Sequence, residues 1–335
     1  MPDLFSPLEV RGLALRNRIM MPPMASDVAT EAGEVTPRHL EHYLARARYQ
    51  VALLVVEHTY VRRSGRLTRT QLGLHDDALV EGFRRLVEAI RPTGARLVLQ
   101  LTHAGSATTA AVAEAVPEGP SAVLHPAGKE VPRELTVADL AQIREEFAAA
   151  ARRAVEAGFD GVEIHGAHGY LLNQFLSPLT NRRTDDYGGD LAGRSRFPLE
   201  VIRRVRREVG PDYPLFYRFG ADDGLPGGFP LAEAVELAPR LVEAGVDLLD
   251  VSGGLIGSRP AGAPPGYNVE AAAAVRRAVT VPVAVAGGIT EPAFADSLVR
   301  EGKTDLVAVG RALLRDPRWA LRAARELGHP LEETG

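Results

Sequence analysis

The chain of 335 residues has no cysteine, and of its 39 basic residues only Lys129 and Lys303 are lysine. The first absence excludes disulfide scaffolds, thiolate nucleophiles, cysteine-ligated zinc and cysteine-held iron–sulfur clusters. The second leaves just two candidates for Schiff-base chemistry. Neither sign of charge dominates: a net charge of −4 gives no basic footprint for nucleic acid or an anionic membrane. Long apolar runs are missing as well. The strongest, residues 51–56, falls far short of the ~18 residues that span a bilayer. The opening MPDLFSPLEVRG lacks the basic and apolar regions of a secretory leader. A cytoplasmic protein with neither nucleic-acid nor membrane partners is expected.

What is present is globular, and 45% hydrophobic residues suffice for a large core. Short β-branched runs at 18–21, 51–57, 96–101, 161–165, 215–219, 248–251, 283–286 and 306–309 read as strands. Runs such as LLVV, LVLQL and VAVA do not alternate, which suits parallel strands covered on both faces. Between them, helical periodicity fills 37–49, 77–90, 137–157, 192–209, 230–244, 269–279, 291–300 and 313–327. Eight strands alternating with eight helices predict an α/β chain folded as one (β/α)₈ TIM barrel, a single domain over 1–335. A doubly wound sheet is the rival, but no Gly-x-Gly-x-x-Gly follows the first strand. Residues 4–17 predict a hairpin capping the barrel's bottom. Long loops after strands three and four, about 102–134 and 166–191, exceed plain connections and are expected to carry function.

Barrel active sites lie at the C-terminal ends of the strands. Neither lysine falls there, which argues against an aldolase Schiff base. Ala-Gly-Gly ends strand seven and Val-Gly-Arg ends strand eight, so Gly287, Gly288, Gly310 and Arg311 predict a phosphate site. Glycines that merely make tight turns are the alternative. His165 and His168 can be read as a metal pair with Glu163, as structural histidines, or as paired N–H donors for a carbonyl or nitro oxygen. Tyr170 follows on the same loop as a candidate proton donor. Gln100 and Arg218 end strands three and five and suit the edge of an amide-like heterocycle. A phosphate site across the same mouth makes flavin mononucleotide (FMN) a fitting occupant.

The residues also match a known pattern. The stretch VEIHGAHGYLLNQFLSPLTNRRTDDYGGDLAGRSRF resembles the old yellow enzyme family of FMN-dependent ene-reductases, as do NRIMMPPM, LVLQLTHAG, VAVAGGI and VAVGRALLRDP in the same order. The resemblance implies that Pro22, Pro23, Met24, Ala25, His58, Gln100, Arg218, Gly287, Gly288, Gly310 and Arg311 hold a tight, non-covalent FMN. It implies that His165 and His168 bind the substrate's activating group, that Tyr170 delivers the proton, and that no metal takes part. NADPH or NADH would supply hydride to FMN, which passes it to an enone, enal, maleimide or nitroalkene. A homodimer or homotetramer is also compatible with the family. Ala25, Asp27 and His58 depart from the family pattern, which has cysteine, tyrosine and a small residue there in one branch or generally. Flavin-dependent amine or dienoyl-CoA-type dehydrogenation, and a non-redox phosphate-binding lyase or isomerase, are the alternative functions.

Overall fold

The computed structural model describes residues 1–258 and 262–329. Eight parallel strands close into a barrel in chain order. They are β1 (Ile19–Met21), β2 (Leu53–Tyr60), β3 (Arg96–Thr102), β4 (Gly161–Gly166), β5 (Leu215–Gly220), β6 (Leu248–Ser252), β7 (Val283–Ala286) and β8 (Leu306–Ala308). The ladder from β8 back to β1, Val307 against Ile19, completes the ring.

The non-alternating runs find the environment they predict. One set of strand residues, including Leu53, Val55, Val98, Phe216, Leu248 and Leu306, fills the barrel interior. The alternate set, including Leu54, Val56, Leu99, Ile164, Leu249 and Val307, packs outward in a cluster shared with the surrounding helices. Those helices are α1 (Pro37–Ala47), α2 (Val80–Ile90), α3 (Val137–Ala157), α4 (Leu191–Val209), α5 (Leu231–Glu243), α6 (Val269–Ala278), α7 (Pro292–Arg300) and α8 (Trp319–Glu326). At α3 the Thr136 hydroxyl accepts from the Asp139 N–H while Asp139 accepts from the Thr136 N–H, a reciprocal cap at the expected start.

The N-terminal hairpin pairs Leu8–Val10 with Leu13–Leu15 across Arg11 and Gly12, both at positive φ. Such a two-residue turn follows the twist of its strands. Its Val10, Leu13 and Leu15 join the interior cluster and stopper the bottom of the barrel.

The last helix departs from the periodicity. In place of one helix over 313–327 there are two, Arg311–Arg315 and α8. Pro317 has no N–H to donate and forces Asp316 into an extended conformation, at φ −135° and ψ 95°. The Asp316 carboxylate accepts from the Arg318 N–H at 3.0 Å just before α8, and the indole of the buried Trp319 donates to the Thr290 carbonyl at 2.7 Å.

Both long loops are structured. The first carries the short ladder of Glu118–Gly119 with Arg133–Glu134, and the second the helix Leu171–Leu176. Buried Arg183 in the second loop donates to the carbonyls of Pro120 and Leu135 and pairs with Asp185, tying the two insertions together beside the mouth. Among the described residues, no helix is long and apolar enough to cross a membrane.

Candidate active site

Toward the C-terminal ends of β3 to β6 the inward positions change from apolar to polar. Val98, Phe216 and Leu248 belong to the apolar interior; two residues later come Gln100, Arg218 and Asp250. The ladders set Gln100 against Glu163, and Arg218 against both His165 and Asp250. Gln100 Nε2 donates to Glu163 Oε1 at 2.7 Å. Arg218 Nη1 lies 3.1 Å from Asp250 Oδ2, and Nη2 donates to Ser252 Oγ at 3.2 Å. Arg218 Nε and Nη1 are buried without an aligned acceptor. A cation so placed is poised to donate to a further group, since buried donors left unmatched cost about 1–3 kcal/mol each.

Above this layer sit three histidines and a phenol. The Ala167 N–H donates to His165 Nδ1 at 3.2 Å, which leaves the proton of the neutral ring on Nε2. Ser252 Oγ, which accepts from Arg218, shares a 2.7 Å hydrogen bond with His168 Nε2. Burial, and next the charges of His168 and Arg218, depress the His165 pKa well below the ordinary value. Burial followed by the Arg218 and His58 charges does the same for His168. Both rings are thus neutral N–H donors, 5.0 Å apart and nearly perpendicular at 78°. His168 holds a left-handed backbone at φ 59°, followed by Gly169 at φ 72°. A non-glycine residue in that region costs of order 1–3 kcal/mol and tends to mark function.

The Tyr170 ring lies 4.7 Å from His165 and 5.9 Å from His58. Burial pushes its phenol up to about 12, so the proton stays on oxygen at neutral pH. His58 stands where β2 bulges between Val56 and Thr59, the irregularity that turns it off the regular alternation. Its Nδ1 accepts from Gln71 Nε2 at 2.6 Å, while Gln71 Oε1 is engaged by the Leu67 N–H. Burial holds the His58 pKa down at about 4.

A cleft beside this cluster is lined by Pro22, Met24, Arg218, Ser252, Tyr267, Gly287, Gly288, Gly310 and Arg311, with Ser258, Ala286, Ile289, Thr290 and Ala308. Seven residues expected from sequence therefore share one wall. Pro23 is half-buried and Ala25 exposed, and neither lines that cleft. A Cβ on Gly310 would stand 2.9 Å from Met24 Sδ, and Gly288 takes φ 69°. These glycines keep the backbone open beside the Arg311 guanidinium. A planar heterocycle with a phosphate tail fits this set. The spare Arg218 donors and the Gln100 amide suit the polar edge of the ring, and the glycine-lined end with Arg311 suits the phosphate. A wider hollow at the barrel's bottom, lined by Arg11, Arg96, Asp160 and Asp212, lies at the opposite end and presents both signs of charge.

Among the described residues, no group of histidine and carboxylate side chains could hold a metal ion. Glu163, legible from sequence only as a third metal ligand, is instead committed to Gln100. Sequence reasoning passed over Gln71 and Asp250, and placed Ser252 at a strand end without giving it a role. Ser252 and Asp250 lie two apart on a strand that ends at the mouth, a spacing that points both inward. Nothing in the local sequence marks Gln71.

Comparison with known proteins converges on one family. Residues 3–329 match the model of the NADH:flavin oxidoreductase / NADH oxidase family. An NADH oxidase of Thermoanaerobacter brockii is 45% identical over 329 residues, covering 96% of this chain. The chain spans about half of that relative's length, 50%. An NADPH dehydrogenase of Geobacillus sp. (strain WCH70) is 44% identical over 326 residues, covering 97% of this chain and 94% of its own. Among solved structures, an old yellow enzyme homologue from Zymomonas mobilis superposes with a TM-score of 0.86 at 26% identity, covering 99% of this chain and 94% of its own.

Proposed function

The chain belongs to the NADH:flavin oxidoreductase / NADH oxidase family, the family of the old yellow enzyme, and from that premise we propose that it is an NAD(P)H-dependent FMN oxidoreductase that reduces activated C=C bonds. Enones, enals, maleimides and nitroalkenes are the acceptor class. FMN, held by Gln100, Arg218, Gly287, Gly288, Gly310 and Arg311, would supply the redox chemistry, hydride transfer from NADPH or NADH to the β-carbon of the acceptor.

The carrying observation is the pair of neutral imidazoles, His165 and His168, 5.0 Å apart with the Tyr170 phenol beside them. Two N–H donors converging on one carbonyl or nitro oxygen stabilise the negative charge that grows there as the β-carbon accepts hydride. Neutrality suits this role, because a cationic imidazole would pair with any passing anion in the ground state. Tyr170 retains its proton at working pH and holds it within the same cluster, ready for the α-carbon. Gln100 and Arg218 orient the ring from the barrel side, and Arg311 with Gly287, Gly288 and Gly310 anchors the phosphate. Pro22 and Met24 line the same cleft, Pro23 and Ala25 lie on the same segment outside it, and His58 stands beside Tyr170.

Anaerobic spectroscopy tests the reading. The purified protein is expected to be yellow, to bleach with NADPH or NADH, and to regain its colour on addition of cyclohexenone or N-ethylmaleimide. Replacing His165 and His168 by Ala should abolish the charge-transfer band given by phenols. A colourless preparation that takes up no FMN, or a bleached flavin that no activated alkene re-oxidises, overturns the assignment.

A further inference from the structure

Inside the barrel, below the mouth, two carboxyl groups face a single guanidinium, and their charges do not balance. Glu163 and Asp250 are fully buried, and Arg218 is 4% exposed. Arg218 Nη1 approaches Asp250 Oδ2 at 3.1 Å but off the axis of a hydrogen bond, so both Asp250 oxygens lack a donor. Glu163 Oε1 accepts from the uncharged amide of Gln100, and its Oε2 has no partner.

Among the described residues, the interior positions of the surrounding strands bring no further cation to this layer. Met20 on β1, Val55 on β2, Val98 on β3, Phe216 on β5, Leu248 on β6, Ala284 on β7 and Ala308 on β8 are all apolar. The titratable groups above, His58, His165 and His168, all have depressed pKa values and are neutral. With both carboxyls ionised, the layer would hold a buried negative charge without a counterion, a state far costlier than taking up one proton. Asp250 already has the guanidinium, so the proton belongs on Glu163.

Building on the FMN reading above, we propose that Glu163 is a positioning residue of the redox site. Its carboxyl is protonated, Oε2–H serves the orphaned Asp250 carboxylate, and Oε1 fixes the Gln100 amide. Gln100, Glu163, Asp250 and Arg218 then form a layer without net charge beneath the flavin's pyrimidine. Burial first, and the Asp250 charge second, push the Glu163 carboxyl far above its ordinary range, against the weaker pull of Arg218 and Gln100. Ionisation of Glu163 would set a negative charge under the ring and oppose the electrons it accepts.

Infrared difference spectroscopy of the apoprotein tests the proton without any flavin. A carboxylic C=O band sensitive to D₂O is expected at neutral pH in the wild type, lost on raising the pH and absent in Glu163→Gln. The amide variant keeps both an acceptor for Gln100 and a donor for Asp250, so it mimics the protonated acid. In the FMN-loaded protein, the wild-type midpoint potential should fall with an extra break across about pH 5 to 10, where a raised carboxyl titrates. Glu163→Gln should show no such break. Absence of the band from wild type at neutral pH, its survival in Glu163→Gln, or a break that the variant retains overturns the proposal. A protein that shows the band yet binds no FMN would keep the proton on Glu163 and sink the flavin reading instead. Should the variant fail to fold, pH titration of the wild-type band still decides.

Discussion

Ser26 is held twice by one carboxylate: its backbone N–H donates to Glu57 Oε2 and its hydroxyl to Glu57 Oε1, both at 2.7 Å. Glu57 is buried and also meets the Tyr43 hydroxyl, which accepts from the Glu57 N–H at 2.8 Å. The β2 bulge thus sends Glu57 toward α1 and its neighbour His58 toward the mouth. Ser26 closes the segment that runs from Pro22 through Ala25, so the clamp fixes one wall of the candidate flavin site. Glu57→Gln retains only one acceptor oxygen and places an NH₂ against a donor. We expect it to cost about 1–3 kcal/mol of stability, the penalty of a buried unmatched polar group. FMN affinity should weaken alongside. Thermal unfolding and flavin fluorescence quenching check both; an unchanged affinity would show that the loop does not depend on the clamp.

Tyr170 holds its proton because burial raises the phenol to about 12. Tyr170→Phe keeps the ring against His165 and removes only the proton. Acceptor reduction should slow by roughly 10²–10⁴-fold, the usual worth of a positioned acid. Bleaching by NADPH or NADH, which needs no proton from this side chain, should stay within about twofold, well below that range. Stopped-flow measurement of each half-reaction separates the two effects. Equal slowing of both would remove Tyr170 from the proton path.

At the phosphate end, Arg311→Ala should weaken FMN binding by roughly 10–100-fold, since hydrogen bonds to charged groups are worth about 1.5–3 kcal/mol. Gly310→Ala should act by a different route, its Cβ meeting Met24 Sδ at 2.9 Å and pushing the β1 loop aside. Equilibrium titration of the apoproteins with FMN reads both losses. Wild-type affinity in Arg311→Ala would move the phosphate elsewhere.

Stability should also carry an acid limb from Glu118, which joins the first insertion to the barrel. Its carboxylate receives Arg133 Nη2 at 2.5 Å and lies near Arg62 and His103 at 3.4 and 3.5 Å. Burial alone would raise its pKa, but His103, Arg62 and Arg133 together outweigh it and hold the carboxyl at about 2. A carboxyl depressed on folding stabilises the native state above its unfolded value of 4.5, and that stability is lost as pH falls toward 2. Glu118→Gln should therefore melt lower than wild type at neutral pH, with the gap closing on acidification. A gap that stays constant down to acid pH would assign the effect to packing alone.

The barrel was legible because its information is local and repeated: non-alternating β-branched runs with helical periods between them. The hairpin within 4–17 and the helix start at 137 followed from chemistry that acts within a few residues. The split at Pro317 was equally local, but helical periodicity on either side masked it. Candidate site residues could be placed at the strand ends because a barrel gathers them by construction. The environment of each could not. Glu163 sits beside Gln100 through strand register, Ser252 bridges Arg218 and His168 across strands, and Gln71 reaches His58 from a loop. Those relations depend on distances between segments far apart in the chain, which no periodicity encodes.

The hairpin of Val10, Leu13 and Leu15 makes the barrel a vessel with a stopper. On the proposed FMN reading, hydride donor, acceptor and product would all share the rim at the other end. Traffic there becomes a queue, each visitor leaving before the next arrives. Turnover should then obey two alternating visits, and a good donor in excess should obstruct the very acceptor it prepares the enzyme to meet.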